Sequence, residues 1–115
     1  MSAETAAILD KAADVIERNG WYQGSYFNEV AGRAPADCPV CTYGAIHIAA
    51  FGEPTPVLET EESAMGEANR AVNVLRKYLG ITSVGAVWND ASDRTAEQVI
   101  TALRGAAQAE RERAS

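Results

Sequence analysis

The chain has 115 residues, of which 47% are hydrophobic and 7% aromatic, and 16 acidic and 10 basic residues give it a net charge of −6. Nucleic acid and anionic membrane surfaces are therefore excluded as expected partners, because both require clustered Lys and Arg. No segment approaches the roughly 20 apolar residues that span a bilayer, and acidic residues stand where a signal peptide is basic, so we expect a cytoplasmic protein with reduced cysteines.

The composition predicts an all-α fold. The length is close to a common domain size, so we expect a single globular domain over residues 1–115. Many small residues and few aromatics favour closely packed helices over a β-sandwich. We therefore predict a compact bundle of about four helices around the two tryptophans. A short β-hairpin or extended segment near residues 22–32 is the structural alternative.

Two helices are predicted in the first half of the chain. Residues 2–19 carry apolar side chains at helical spacing, and Gly20 follows, where a left-handed residue ends many helices. Residues 21–39 contain Gly and Pro and predict a loop. Residues 40–51 (VCTYGAIHIAAF) are too long for a typical buried strand, so we predict a second helix in which Gly44 allows another segment to approach closely.

Two further helices are predicted in the second half. Residues 60–79 should form the clearest one, capped by Thr60 or Ser63 and ended by Gly80. Residues 81–93 predict a connector with at most one short helical turn. The last helix opens with a capping box, Thr95-Ala-Glu-Gln98, and residues 109–115 are expected to fray because they carry no apolar stripe.

Both cysteines and the only histidine lie close together, as Cys38, Cys41 and His47. The spacing of the cysteines is that of half a zinc site, but structural zinc takes four ligands and the chain has no third cysteine or second histidine. Asp37, Asp90, Asp93 or a second chain would have to complete the set. A helix N-terminus would lower the pKa of Cys41 and favour thiol chemistry.

The structural interpretation of these three residues is simpler, and we favour it. Cys41 would then be a small buried residue, Cys38 an exposed loop thiol, and His47, between two isoleucines, a core residue. We accordingly predict no metal, no cofactor and no catalytic residue. A thiol- or metal-dependent sensor or small enzyme centred on Cys38, Cys41 and His47 is the alternative, and it requires the three side chains to converge.

The tripeptide Trp88-Asn89-Asp90 allows two interpretations. Its polar residues could line a pocket with Asp93 and Arg94, or they could fix a turn beside a buried tryptophan. We favour the turn. The aromatic residues that follow Gly20 pose the same choice between a core and an exposed partner surface, because aromatics are enriched at binding hot spots.

Four short motifs extend over nearly the whole chain: Gly20-Trp21-x-Gln23-Gly24-x-Tyr26, Cys41-x-x-Gly44-Ala45-Ile46, Trp88-Asn89-Asp90 and Arg94-Thr95-x-Glu97-x-Val99. Together they resemble a family of small proteins of unknown function that are encoded in actinobacteria and in their phages. The resemblance implies one compact helical domain of bacterial or phage origin and brings no catalytic residues. It also implies that position 41 keeps its cysteine without a reliable partner at position 38.

The function that we expect is that of a small non-enzymatic interaction or accessory protein. Its partner would be another protein or a second copy of the chain, so a dimer is one expected form. Such a protein should expose an apolar or aromatic patch larger than one monomer needs. The candidate binding residues are Trp21, Gln23, Tyr26, Trp88, Asn89, Asp90 and Arg94.

Overall fold

The computed structural model describes residues 2–57 and 62–114 and contains four α-helices. They are α1 (Ser2–Asn19), α2 (Thr42–Phe51), α3 (Glu62–Leu79) and α4 (Ala96–Ala114). A 3₁₀ turn (Pro35–Asp37) precedes α2, and a π-helical segment (Val84–Asn89) precedes α4. The described residues contain no strand, so the all-α bundle is confirmed; residues 22–32 form no hairpin, and this segment makes only an isolated bridge from Phe27 to Val40.

The four helices share one hydrophobic core. Seven of the ten residues of α2 are buried, because α1 and α3 both pack against it. Alanines fill the spaces between the larger side chains and let the helices approach closely. Among the described residues, no helix combines the length and the apolar composition that crossing a membrane takes. Each helix contributes a fully buried large aliphatic side chain: Leu9, Ile46, Leu75 and Leu103.

The most extensive helix contact joins α1 and α4. On its solvent side the Arg104 guanidinium reaches the carboxylates of Asp14 at 2.7 Å and Glu17 at 3.1 Å. Arg111, two turns further along α4, pairs with Asp10 at 2.7 Å. Because the later residue of α4 meets the earlier residue of α1, the two helices run antiparallel.

Glycines end two helices as expected. Gly20 and Gly80 have φ angles of 102° and 69°, in the region that residues with a Cβ rarely adopt. α2 begins two residues later than predicted, because the backbone of Val40 is bonded to the preceding loop. α3 begins at Glu62; the predicted cap Thr60 lies outside the described residues, and so does the side chain of Ser63.

The predicted capping box starts α4. The Thr95 backbone N–H donates to Oε1 of Gln98 at 3.1 Å, and the Gln98 N–H donates to Oγ1 of Thr95 at 3.2 Å. At its other end α4 continues to Ala114, with the buried Glu110 held by Arg113. The fraying that the sequence predicts for residues 109–115 stays a prediction.

The long loop between α1 and α2 wraps around the residues that enter α2. The Tyr22 N–H donates to the Val40 carbonyl at 2.9 Å, and the Cys41 N–H donates to the Tyr26 carbonyl at 3.1 Å. A Cβ atom at Gly44 would collide with that same carbonyl of Tyr26. The close approach predicted from Gly44 is therefore confirmed. It lets the aromatic loop, residues 21–27, pack against the start of α2.

Candidate functional site

Asn89 joins three separate segments of the chain from a fully buried position. Its Oδ1 accepts hydrogen bonds from Trp21 Nε1 at 2.9 Å, from Thr42 N at 2.9 Å and from Thr42 Oγ1 at 2.6 Å. Its Nδ2 donates to the Tyr22 carbonyl at 3.2 Å and to Oδ1 of Asp90 at 2.9 Å. Both amide hydrogens are used within the protein, so Asn89 builds the site rather than donating to a ligand.

Gln23 and Asp90 strengthen the same junction nearer the surface. Nε2 of Gln23 donates to the backbone carbonyls of Asn89 at 3.1 Å and of Ala91 at 2.9 Å. The Gly24 N–H donates to Oδ1 of Asp90 at 3.1 Å. Residues 21–24 are thus fastened to the turn at Asn89, Asp90 and Ala91.

The π-helical segment explains how neighbouring residues of this turn take different roles. The Asp90 N–H donates to the Gly85 carbonyl five residues earlier, at 3.0 Å. This wider turn buries Asn89 and leaves Asp90 exposed. A Cβ at Gly85 would press on the Tyr43 ring, so the glycine lets the segment lie against the start of α2.

A cleft of 320 Å³ opens where these segments meet; we call it the motif cleft. It carries two tyrosine rings, of which Tyr26 is 37% exposed, and the exposed carboxylate of Asp90. The described lining residues include no Lys or Arg, so the Asp90 carboxylate makes the charge of the cleft negative. The lining residues are Gly24, Ser25, Tyr26, Cys41, Tyr43, Gly85, Asn89 and Asp90.

The Cys41 thiol is buried at the back of the cleft and caps α2. Its sulfur accepts a hydrogen bond from the Gly44 N–H at 3.4 Å. Burial raises the pKa of Cys41 above 9.0 and outweighs the backbone hydrogen bonds that lower it, while Asp90 raises it further. The thiolate that the helix N-terminus was expected to favour is therefore disfavoured, and Cys41 is a structural thiol at neutral pH.

Cys38 is fully buried, so its prediction as an exposed loop thiol is wrong. The 3₁₀ turn folds the loop back, with the Cys38 N–H donating to the Pro35 carbonyl at 3.2 Å. Its Sγ then faces the Ala34 carbonyl at 3.4 Å. Pro35 at the start of the turn restricts the backbone to this geometry. The polar composition of the loop does not predict that it folds back in this way.

His47 is a buried member of an aromatic cluster. Its Nδ1 lies 2.9 Å from the Pro54 carbonyl, and because a carbonyl only accepts, Nδ1 carries the hydrogen. Its ring lies 5.3 Å from the Phe51 ring and 5.6 Å from the Tyr26 ring, centroid to centroid. Burial lowers the pKa of His47 below 6.5, so the ring is neutral and ties α2 to the turn that follows it.

The described residues contain no group of three or more His, Cys, Asp or Glu side chains placed to hold a metal ion. Cys38, Cys41 and His47 therefore do not converge on one point. Among the described residues, the metal-dependent form of the alternative therefore lacks the ligand geometry that it required, and the thiol-dependent form stays a prediction.

The fourth motif lies outside the motif cleft. Nε of Arg94 donates to the Trp88 carbonyl at 3.0 Å, and its guanidinium lies 4.7 Å from the centre of the Trp88 ring. The sequence grouped Asn89, Asp90, Asp93 and Arg94 as one possible pocket. The structure separates them, because only Asn89 and Asp90 line the cleft.

Sequence reasoning did not identify Ser25, Tyr43 and Gly85 as residues of the site. Two weak signals were present. Tyr43 falls within the Cys41-x-x-Gly44 motif, and Gly85 interrupts an apolar run in which a larger residue would be expected. Both signals become specific only once the folded chain places Gly85 against Tyr43.

The comparison with known families gives one match. The model of a family described as "Family of unknown function (DUF6197)" matches residues 1–109, a range that includes all four motifs. No curated protein and no solved structure matches the chain.

Proposed function

Because the chain belongs to the Family of unknown function (DUF6197), we propose its role from the chemistry of the motif cleft. It is a non-enzymatic interaction protein that receives a basic side chain, Arg or Lys, of a partner protein in this cleft. The observation that carries the proposal is that Asp90, Tyr26 and Tyr43 line one cleft.

The Asp90 carboxylate is held ready for a cation. Its Oδ1 is fixed by the Gly24 N–H and by Nδ2 of Asn89, while the residue remains exposed. Within the described part of the chain, no Lys or Arg forms an ion pair with Asp90. A guanidinium or ammonium group would pair with an already oriented oxygen, which reduces the entropy cost of binding.

The two tyrosines suit the same ligand. A cation held against an aromatic ring gains about 0.5–2 kcal/mol, and more where water is excluded. A volume of 320 Å³ is at the small end for ligand sites and fits one long side chain better than a large cofactor. The net charge of −6 would also speed the approach of a basic partner.

The state of the two reactive side chains supports a non-enzymatic role. Cys41 is protonated at neutral pH and caps a helix, and His47 is neutral and bonded to a backbone carbonyl. Neither is presented as a nucleophile or a general base.

We place the protein in the cytoplasm of an actinobacterium or of a phage-infected host cell, as a monomer or a dimer. The resemblance of the four motifs supports the origin. Two free, buried cysteines support a reducing compartment.

The test is an NMR titration of the ¹⁵N-labelled protein with N-acetyl-arginine amide and N-acetyl-lysine amide. Shifts are expected at Gly24, Ser25 and Gly85. Asp90→Asn keeps an oxygen for the Gly24 N–H but removes the charge, and should weaken binding about fivefold. Asp93→Asn makes the same charge change outside the cleft and should have no effect.

Two outcomes of this titration contradict the proposal. One is equal binding by the Asp90→Asn protein and the unaltered protein. The other is an equal response to N-acetyl-glutamine amide, which has similar length and no charge.

The partner itself is sought by photo-crosslinking in cells. A benzoyl-phenylalanine at the exposed, cleft-lining Ser25 should capture a protein whose crosslinked peptide contains Arg or Lys. The yield of this product should fall with Asp90→Asn and stay unchanged with Asp93→Asn. Equal yields with both substitutions would contradict binding of the partner through Asp90.

A further inference from the structure

We infer a second binding site, for a small amphiphilic anion, in a groove between α3 and α4; we call it the basic groove. It has a volume of 610 Å³ and shares no lining residue with the motif cleft. The inference is independent of the function proposed for that cleft.

The charge of the basic groove is opposite to that of the chain. Arg70, Lys77 and Arg113 line it, and among the described lining residues Glu110 is the only one with a carboxylate. Arg113 holds Glu110 through two contacts, of 3.0 and 2.7 Å. Three positive charges less one negative leave +2 in the groove, although the whole chain carries −6.

Two of these cations lack a partner of opposite charge among the side chains that the structure describes. None of the described carboxylates forms an ion pair with Arg70 or Lys77. They are exposed and lie two helical turns apart on α3. Nη1 of Arg70 extends back along α3, 3.5 Å from where a Cβ of Gly66 would be. Both charged groups are therefore available to an anion.

The interior of the groove is apolar. Val74 of α3 faces Ala106 and Ala109 of α4, and the two alanines leave the space that larger residues would fill. A volume of 610 Å³ lies within the range of small-molecule sites, which combine apolar walls with a few polar groups. The matching ligand has a carboxylate or phosphate at one end and a short apolar body.

Tyr78 closes one end of the groove. It is 49% exposed, and its hydroxyl reaches α4 at Gly105, where a Cβ would collide with it. The same tyrosine borders the neighbouring shallow surface of Trp88 and Arg94, so it separates the two. A closed end favours a short molecule over an extended acidic peptide that would have to pass through.

The experiment is a calorimetric and NMR titration of the full chain with sodium octanoate and with octyl phosphate. Shifts are expected at Val74, Ala106 and Ala109, and binding should weaken as salt rises. The two probes distinguish a carboxylate from a phosphate head group. 1-Octanol, which has the same apolar body without the charge, should bind at least about fivefold more weakly.

A matched pair of variants separates the groove from general charge. Arg70→Gln with Lys77→Gln should weaken octanoate or octyl phosphate binding about fivefold to tenfold. Arg33→Gln with Lys11→Gln changes the net charge equally at exposed positions outside the groove and should leave binding unchanged. Equal loss in both variants, equal binding of octanol, or shifts elsewhere in the chain would each overturn the inference.

Discussion

Trp21 and Asn89 lie 68 residues apart in the chain and are joined by a hydrogen bond of 2.9 Å from the indole Nε1 to the amide Oδ1. This bond links the loop after α1 to the π-helical segment before α4. The same oxygen accepts two hydrogen bonds from Thr42 at the start of α2. One asparagine therefore fixes the relative positions of the three segments that form the motif cleft.

Asn89→Ala should destabilise the protein by about 3–4 kcal/mol, because it leaves the indole N–H of Trp21 and two donors of Thr42 buried without an acceptor. Urea unfolding followed by circular dichroism measures the change. Asn28→Ala removes an exposed loop amide and should cost less than about 0.5 kcal/mol. Similar losses for both substitutions would contradict the central role of Asn89.

Gly44→Ala should destabilise the protein by about 2–3 kcal/mol. Its Cβ would meet the Tyr26 carbonyl, a backbone group that cannot rotate away. Gly66→Ala is the control within another helix, since its Cβ has room, and it should stabilise by up to about 1 kcal/mol through helix propensity. The prediction fails if the two alanines have the same effect in thermal unfolding.

The stability of the protein should fall as pH decreases from neutral, in part through His47. Burial lowers its pKa in the folded state below the unfolded value of 6.5, so the unfolded chain binds the proton more readily. This contribution is complete above pH 6.5 and is lost as pH falls through the folded pKa. Because His47 is the only histidine, its imidazole signal in a ¹H NMR titration is unambiguous.

The control for this pH dependence is His47→Gln, which cannot titrate. Its free energy of unfolding should change less between pH 5 and pH 7 than that of the unaltered protein. An imidazole pKa at or above 6.5 would contradict the burial that the structure shows.

Both thiols should react slowly with Ellman's reagent at pH 8 in the folded protein and rapidly in urea. Cys38 and Cys41 are buried, and burial raises the pKa of Cys41. Cys41→Ser should retain a cap for the Gly44 N–H, whereas Cys41→Val loses it and should be less stable than the serine variant by about 1 kcal/mol. Fast reaction of one thiol in the folded state would reopen the thiol-dependent alternative.

The sequence predicted those parts of the fold that depend on neighbours within a few residues. Gly20 and Gly80 mark the ends of α1 and α3, and the capping box of Thr95 and Gln98 starts α4. These signals are local because the hydrogen bonds they satisfy lie within one helical turn.

The site depends on contacts between residues far apart in the chain, which the spacing of apolar residues along the sequence does not reveal. The sequence indicates Trp21, Gln23 and Asn89 as candidates, but the bonds from Trp21 and Gln23 to Asn89 cross 68 and 66 residues. The polar, proline-containing loop predicts an exposed Cys38, because such loops usually lie at the surface. The 3₁₀ turn buries the residue instead. Tyr43 became part of the site only because Gly85 admits its ring.

The antiparallel pairing of α1 with α4 also determines when the chain can finish folding during synthesis. α1 leaves the ribosome well before α4, the helix that carries its ion-pair partners Arg104 and Arg111. Until then the face of α1 that α4 covers remains open to water and to other chains. Nascent chains halted before residue 104 should therefore bind chaperones more strongly than chains that include all of α4.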